Sequence, residues 1–203
     1  VAVINFGSVT ESLSLAWRAR QLVLDAGPPS DRSYNLLAVT ALGLGVAAWE
    51  SEKNQKLSRK FFACSLIAGR RTREGCNAPL VHIELSKQGS HFSDLRSART
   101  HALRAFYIGR HAGDWFQAAR SLYYLCRAEI AAGDLSSAKV TLERLRAYAN
   151  QQAAPPEVVS TIEDLLGALI AFEEGDRECG IELGLAAVDG PATGAETKLA
   201  LMN

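Results

Sequence analysis

The sequence lacks the marks of most catalytic and membrane classes. It has no P-loop, no GxSxG nucleophile elbow, no HExxH pair and no paired-carboxylate motif, so it is read as non-enzymatic. No CxxC pair occurs. The four cysteines (Cys64, Cys76, Cys126 and Cys179) lie far apart, which argues against a disulfide framework and reads as reduced, small core residues of a cytoplasmic protein. No basic segment precedes an apolar one at the N-terminus, so no signal peptide is read. The longest nearly apolar run, Leu36 to Trp49, is about 14 residues and too short to span a bilayer. Apart from Val1–Phe6, left undecided, nothing alternates with the period of a strand. The net charge is zero, which offers neither nucleic acid nor an acidic membrane any bulk attraction.

The charges that are present are segregated. Residues 53–110 hold twelve Lys/Arg against three Asp/Glu, and residues 155–203 hold two against ten. In a chain whose sequence order maps onto position along a rod, this makes a dipolar molecule, basic before the middle and acidic at the end. Arg70, Arg71, Arg73, Arg96 and Arg99 form the basic patch. Phe92, Phe106 and Tyr107, the aromatic residues there, read as core rather than as a stacking platform for bases, so nucleic acid is not the expected partner.

Helical punctuation runs through the chain. Ser8 and Glu11 fit a capping box opening a helix that Gly27-Pro28-Pro29 stops near residue 26. Further helices are expected over about 31–50, 55–68, 93–111, 115–132, 135–150, 156–174 and 177–188, with Pro156 in a first turn. A weaker one over 74–88 is expected to be interrupted near Pro79, and a frayed segment over 192–202 has Thr193 and Glu196 as a second capping box. Helices of this length joined by short turns pack as antiparallel neighbours, so the fold class is all-α.

Several local patterns carry weaker signals. Gly43-Leu44-Gly45-Val46-Ala47-Ala48 matches a dinucleotide fingerprint, but it lacks a preceding strand and an acidic residue about twenty positions on, so its glycines read as a close helix contact. His82, His91, His101 and His111 are spaced nine or ten apart and do not share a helix face, so neither metal nor cofactor is expected.

A turn-and-small-residue pattern recurs. Gly133-Asp134-Leu135 is followed by Ala138, Gly175-Asp176 by Gly180, and a looser copy is read at Gly89-Ser90. The sharp copies lie 42 residues apart, a helical-hairpin period. Leu122–Leu145 (LYYLCRAEIAAGDLSSAKVTLERL) resembles a tetratricopeptide repeat, with Leu122, Leu125 and Cys126 on its buried first-helix positions and Ala138, Leu142 and Leu145 on those of the second. Leu165–Ala187 resembles a second copy.

The resemblance implies one α-solenoid domain over residues 1–203, a right-handed superhelix of about four antiparallel hairpins whose best-matched repeats are 115–150 and 157–189. Its period exceeds the family's usual 34, and helices lengthened this way resemble those of tetratricopeptide-like modules attached to bacterial regulators. The starting Val and the apolar-rich last residues suggest a piece of a longer protein.

The first helix of each pair lines a concave groove in this family. On this chain that implies a partner-binding set of Arg120, Tyr123, Arg127, Leu169 and Glu173, with Ala131, Ile162 and Leu165 on the same face. Glu129 departs from the pattern, since the family usually places a large apolar or aromatic residue there; it is expected to reach an arginine or solvent, or to make a polar contact between repeats or with a bound partner or ligand. Two arginines and a tyrosine suit an acidic or C-terminal carboxylate peptide. The implied function is protein or peptide binding in a regulatory or sensor module of a larger cytoplasmic bacterial signalling protein. The partner would be a peptide, a neighbouring domain of the same polypeptide or a second copy. The alternative is a small-molecule effector domain governing an absent output domain, a transcription regulator or nucleotide cyclase.

Overall fold

The computed structural model describes residues 30–50, 53–72, 77–152 and 154–189, together with Arg18 and Gln21. The described residues are all-helical and include no strand. Contacts divide the chain into two compact units, Val1–Glu84 and Leu85–Asn203. The expected segments over 1–6, 8–26 and 192–202 lie outside the described residues, save that Arg18 and Gln21 are helical.

In the first unit, α1 (Asp31–Glu50) packs on α2 (Gln55–Gly69). Two serines of α2 tie the pair together. The Ser58 hydroxyl donates to the Gly45 carbonyl at 2.6 Å and the Ser65 hydroxyl to that of Ala38 at 2.7 Å. Seven residues forward on one helix match seven back on the other, so the two run in opposite directions. Gly45 allows the approach: a Cβ there would lie 2.4 Å from the Phe62 ring, and Phe62 is fully buried. The close-contact reading of these glycines therefore holds for Gly45. Asn54 caps α2 by accepting from the Leu57 N–H.

The next helix, α3 (Ala78–His91), begins at the proline that was expected to interrupt it. Pro79 lies in the first turn, where its missing N–H has no intrahelical acceptor to lose. Arg70 and Arg71 of the basic patch, which follow α2, are exposed.

The second unit continues with α4 (Leu95–His111), α5 (Trp115–Ala131), α6 (Leu135–Gln151), α7 (Pro156–Glu174) and α8 (Arg177–Asp189). One turn is used five times. The N–H groups of Asp94, Asp114, Asp134, Ala154 and Asp176 each donate to the carbonyl five residues earlier, at 2.8–3.1 Å. The first four are spaced by 20 residues. Each aspartate then caps the next helix, accepting from the N–H three residues on at 3.0–3.1 Å. Before the aspartate stands a left-handed residue: Ser93 (φ 57°), Gly113 (72°), Gly133 (71°) and Gly175 (86°). The loose copy expected at Gly89-Ser90 is therefore corrected to Ser93-Asp94, with a serine in the glycine's conformation.

Gly89 has a different role. A Cβ on it would lie 2.8 Å from the Ala98 backbone nitrogen, and one on Gly109 would lie 3.0 Å from that of Ala118. At both points the backbone of the next helix lies where a side chain would otherwise stand. The core of this unit gathers Leu122, Cys126, Leu145, Ile162 and Leu166, each at most 1% exposed. Phe106 joins it, edge-on to Tyr148 at 5.6 Å, but two residues expected in the core do not. Tyr107 follows Phe106 by about 100° around the helix and is 59% exposed, and Phe92, in the turn after α3, is 45% exposed. Of the four cysteines expected as core residues, Cys126 is buried, Cys179 is intermediate, Cys64 is exposed and Cys76 lies outside the described residues.

Candidate functional site

Residues four and three apart on a helix share a face, and Arg120, Tyr124 and Arg127 follow that spacing on α5. Both guanidinium groups lie over the Tyr124 ring, at 5.9 and 6.0 Å from its centroid, within range of a cation–π attraction. Arg127 also lies over Tyr123, at 5.6 Å. The two tyrosine rings meet edge-to-face at 5.2 Å. Burial pushes the Tyr123 hydroxyl pKa up, and the neighbouring Arg127 opposes the rise. Arg127 is exposed and Arg120 half-buried. Among the described residues neither arginine forms an ion pair with a carboxylate.

Polar atoms without partners line the same part of α5. The Tyr124 hydroxyl, Arg120 Nε and Gln117 Oε1 are buried and make no hydrogen bond among the described residues. An unmet buried polar atom costs about 1–3 kcal/mol, so three on adjoining turns are unusual for a purely structural face. Tyr124 and Gln117 carry no signal in the residue pattern used to read the groove, because they fall one position beside it.

The remaining expected site residues are dispersed. Tyr123 is only 4% exposed and serves as backing for Arg127 more than as a surface of its own. Leu169 is 36% exposed and Glu173 is exposed on α7, whereas Ile162 on that helix is buried. Arg96 is exposed on α4, and Arg73 lies outside the described residues.

Glu129 belongs to a second cluster. It stands twenty residues after Gly109 and forty after Gly89, so a carboxylate occupies the level at which the earlier helices carry no side chain. It is 4% exposed. Thr141 donates to its Oε2 at 2.7 Å, and Arg99 Nη2 lies 3.5 Å from its Oε1. Arg99 Nη1 is also 3.5 Å from Asp134 Oδ2. Arg99, assigned to the basic patch, is thus partly neutralised. Burial pushes the Glu129 pKa up, while the Thr141 hydrogen bond and the charges of Arg99 and Arg144 pull it down. A cleft of about 380 Å³ opens here between α4, α5 and α6.

Two features limit the chemistry. The Cys126 thiol is pushed up to about 12, mainly by burial and next by the Glu129 charge, so it is no nucleophile near neutral pH. Among the described residues no three His, Cys, Asp or Glu side chains come together as metal ligands. A separate cavity of about 470 Å³ lies against α1 and α2, with Leu37, Leu44 and Phe61 on its walls and Tyr34, Thr40 and Arg71 among its polar groups. No helix of the described residues is long and apolar enough to cross a membrane. Compared with protein-family models, curated proteins and solved structures, the chain matches none.

Proposed function

We propose that this chain is a non-catalytic binding module of the tetratricopeptide kind, and that the arginine–tyrosine face of α5 captures an acidic segment of a protein partner. The observation that carries this reading is the pair Arg120 and Arg127, two cations backed by tyrosine and without carboxylate partners among the described residues. A guanidinium held against an aromatic ring keeps its fork of N–H donors free for a carboxylate, at little further cost in side-chain entropy. The recurrent Gly-Asp turn and the packing of consecutive helices support the repeat reading. A regulatory or sensor role in a larger bacterial signalling protein rests on the repeat resemblance.

The test is fluorescence polarisation with labelled acidic peptides, with and without a free C-terminal carboxylate. Wild-type chain is expected to bind, more weakly as salt rises, and Arg120→Glu with Arg127→Glu to weaken binding at least tenfold, about 1.4 kcal/mol, with helicity unchanged. Equal binding by the double variant rejects the assignment. The alternative, a small-molecule effector domain, is favoured by the apolar cavity against α1 and α2.

A further inference from the structure

The cleft over Glu129 has a charge pattern that selects its ligand. Three ionic side chains line it, Arg99, Arg144 and Glu129, and Asp134 beside it lies 3.5 Å from Arg99. A simple anion entering this cleft meets the Glu129 carboxylate, and a simple cation meets two guanidinium groups. A molecule with both charges a few ångströms apart offends neither.

The hydrogen bonds point the same way. Glu129 Oε2 has a short donor in Thr141, but among the described residues Oε1 is approached by Arg99 at 3.5 Å, the outer limit of a hydrogen bond. The other Arg99 contact, to Asp134, is equally long. Glu129, a residue only 4% exposed, therefore keeps one carboxylate oxygen without a tight donor among the described residues, and Arg99 is held loosely enough to turn toward an incoming acid group. Arg144, on the exposed side of α6, faces the same cleft. Leu103 and Leu125 complete the wall with apolar surface.

We propose that this cleft binds a small zwitterion, a free α-amino acid or a compound with the same ammonium–carboxylate pair. The ammonium donates to Glu129 Oε1, the carboxylate is taken by Arg99 and Arg144, and an aliphatic side chain lies against Leu103 and Leu125. The cleft, about 380 Å³, is large enough for an amino acid with a side chain of moderate size. This site is separate from the arginine–tyrosine face and does not depend on it.

Isothermal titration calorimetry of the full chain with each of the common free L-amino acids tests the proposal. Each is matched by its two halves: the corresponding amine without the carboxylate, and the acid without the amine. At least one amino acid is expected to bind saturably below about 10 mM while its two halves do not. Arg144→Ala removes an exposed side chain and keeps the fold; it is expected to weaken that binding at least tenfold, as is Glu129→Gln. Lys139→Ala, outside the cleft, is expected to leave it unchanged. Absence of binding by every amino acid, equal binding by a half-ligand, or unchanged binding by Arg144→Ala each overturns the site. Titrating Arg120→Glu with Arg127→Glu keeps the two readings apart, since those changes are expected to spare amino-acid binding.

Discussion

Thr141 donates its hydroxyl to the Glu129 carboxylate across α5 and α6 at 2.7 Å, twelve residues along the chain. The same offset joins the Ser86 hydroxyl to the Ala98 carbonyl at 2.9 Å and the Cys126 thiol to that of Ala138 at 3.4 Å. In those two cases a small side chain reaches the backbone of the next helix. At Glu129 a side chain meets a side chain, and a charge is placed in the interior.

That charge makes stability depend on pH. Burial raises the folded pKa of Glu129 above its unfolded value, against the pull of Thr141, Arg99 and Arg144 and with a smaller push from Asp134. The folded state then holds the proton more tightly, so this stability is present below the unfolded value and is lost as pH rises through the folded one. Glu129→Gln carries no such titration. Chemical denaturation at about pH 4 and about pH 7 is expected to show the balance of stability moving in the variant's favour at the higher pH. A difference between the two proteins that does not vary with pH would show that Glu129 titrates alike in both states.

Ser93 occupies a conformation that Gly113, Gly133 and Gly175 occupy in the equivalent turns. A left-handed residue with a Cβ costs about 1–2 kcal/mol. Ser93→Gly is expected to raise stability by about 1 kcal/mol, and Gly133→Ala to lower it by a similar amount, in urea unfolding.

Gly89 and Gly69 make a matched pair. An alanine at Gly89 would press its methyl into the Ala98 backbone, whereas at Gly69 a Cβ would meet nothing within 4 Å. Gly89→Ala is expected to destabilise by about 1–3 kcal/mol. Gly69→Ala, at the end of α2, is expected to be neutral or to stabilise by up to about 1 kcal/mol. Thermal melts of both variants decide the matter; equal effects would mean that Gly89 is not a contact point.

Thiol labelling tests the burial pattern. Cys64 is exposed, and Cys126 is buried with a raised pKa. Iodoacetamide at neutral pH is expected to modify Cys64 in the native protein and Cys126 only after denaturation, as read by peptide mass mapping. Native labelling of Cys126 would place it at the surface.

Much of the helical framework was legible because its punctuation is local. Asp31, Pro156 and Gly175 mark helix ends that the structure places within a residue of expectation. The 20-residue turn period was harder to see, since Ser93 takes the place of a glycine and the turn ending at Ala154 lacks an aspartate. Pro79 was misread because proline both breaks helices and begins them, and only the position of the first turn decides. The company of Glu129 was not legible, because Arg99 lies thirty residues earlier and comes near only once α4 and α5 have packed. The stacking of Arg120 and Arg127 on Tyr124 depends on rotamers that residue spacing alone does not determine.

The repeated turn also bears on how this protein reaches its native state. Its bond closes a loop of a few residues, and most of the packing between Leu95 and Asp189 joins helices adjacent in the chain. Contacts of short sequence separation lose little chain entropy on closure and form fast. Each helix can therefore dock on the one before it soon after both have been synthesised, and the nascent chain acquires its structure in order, about twenty residues at a time.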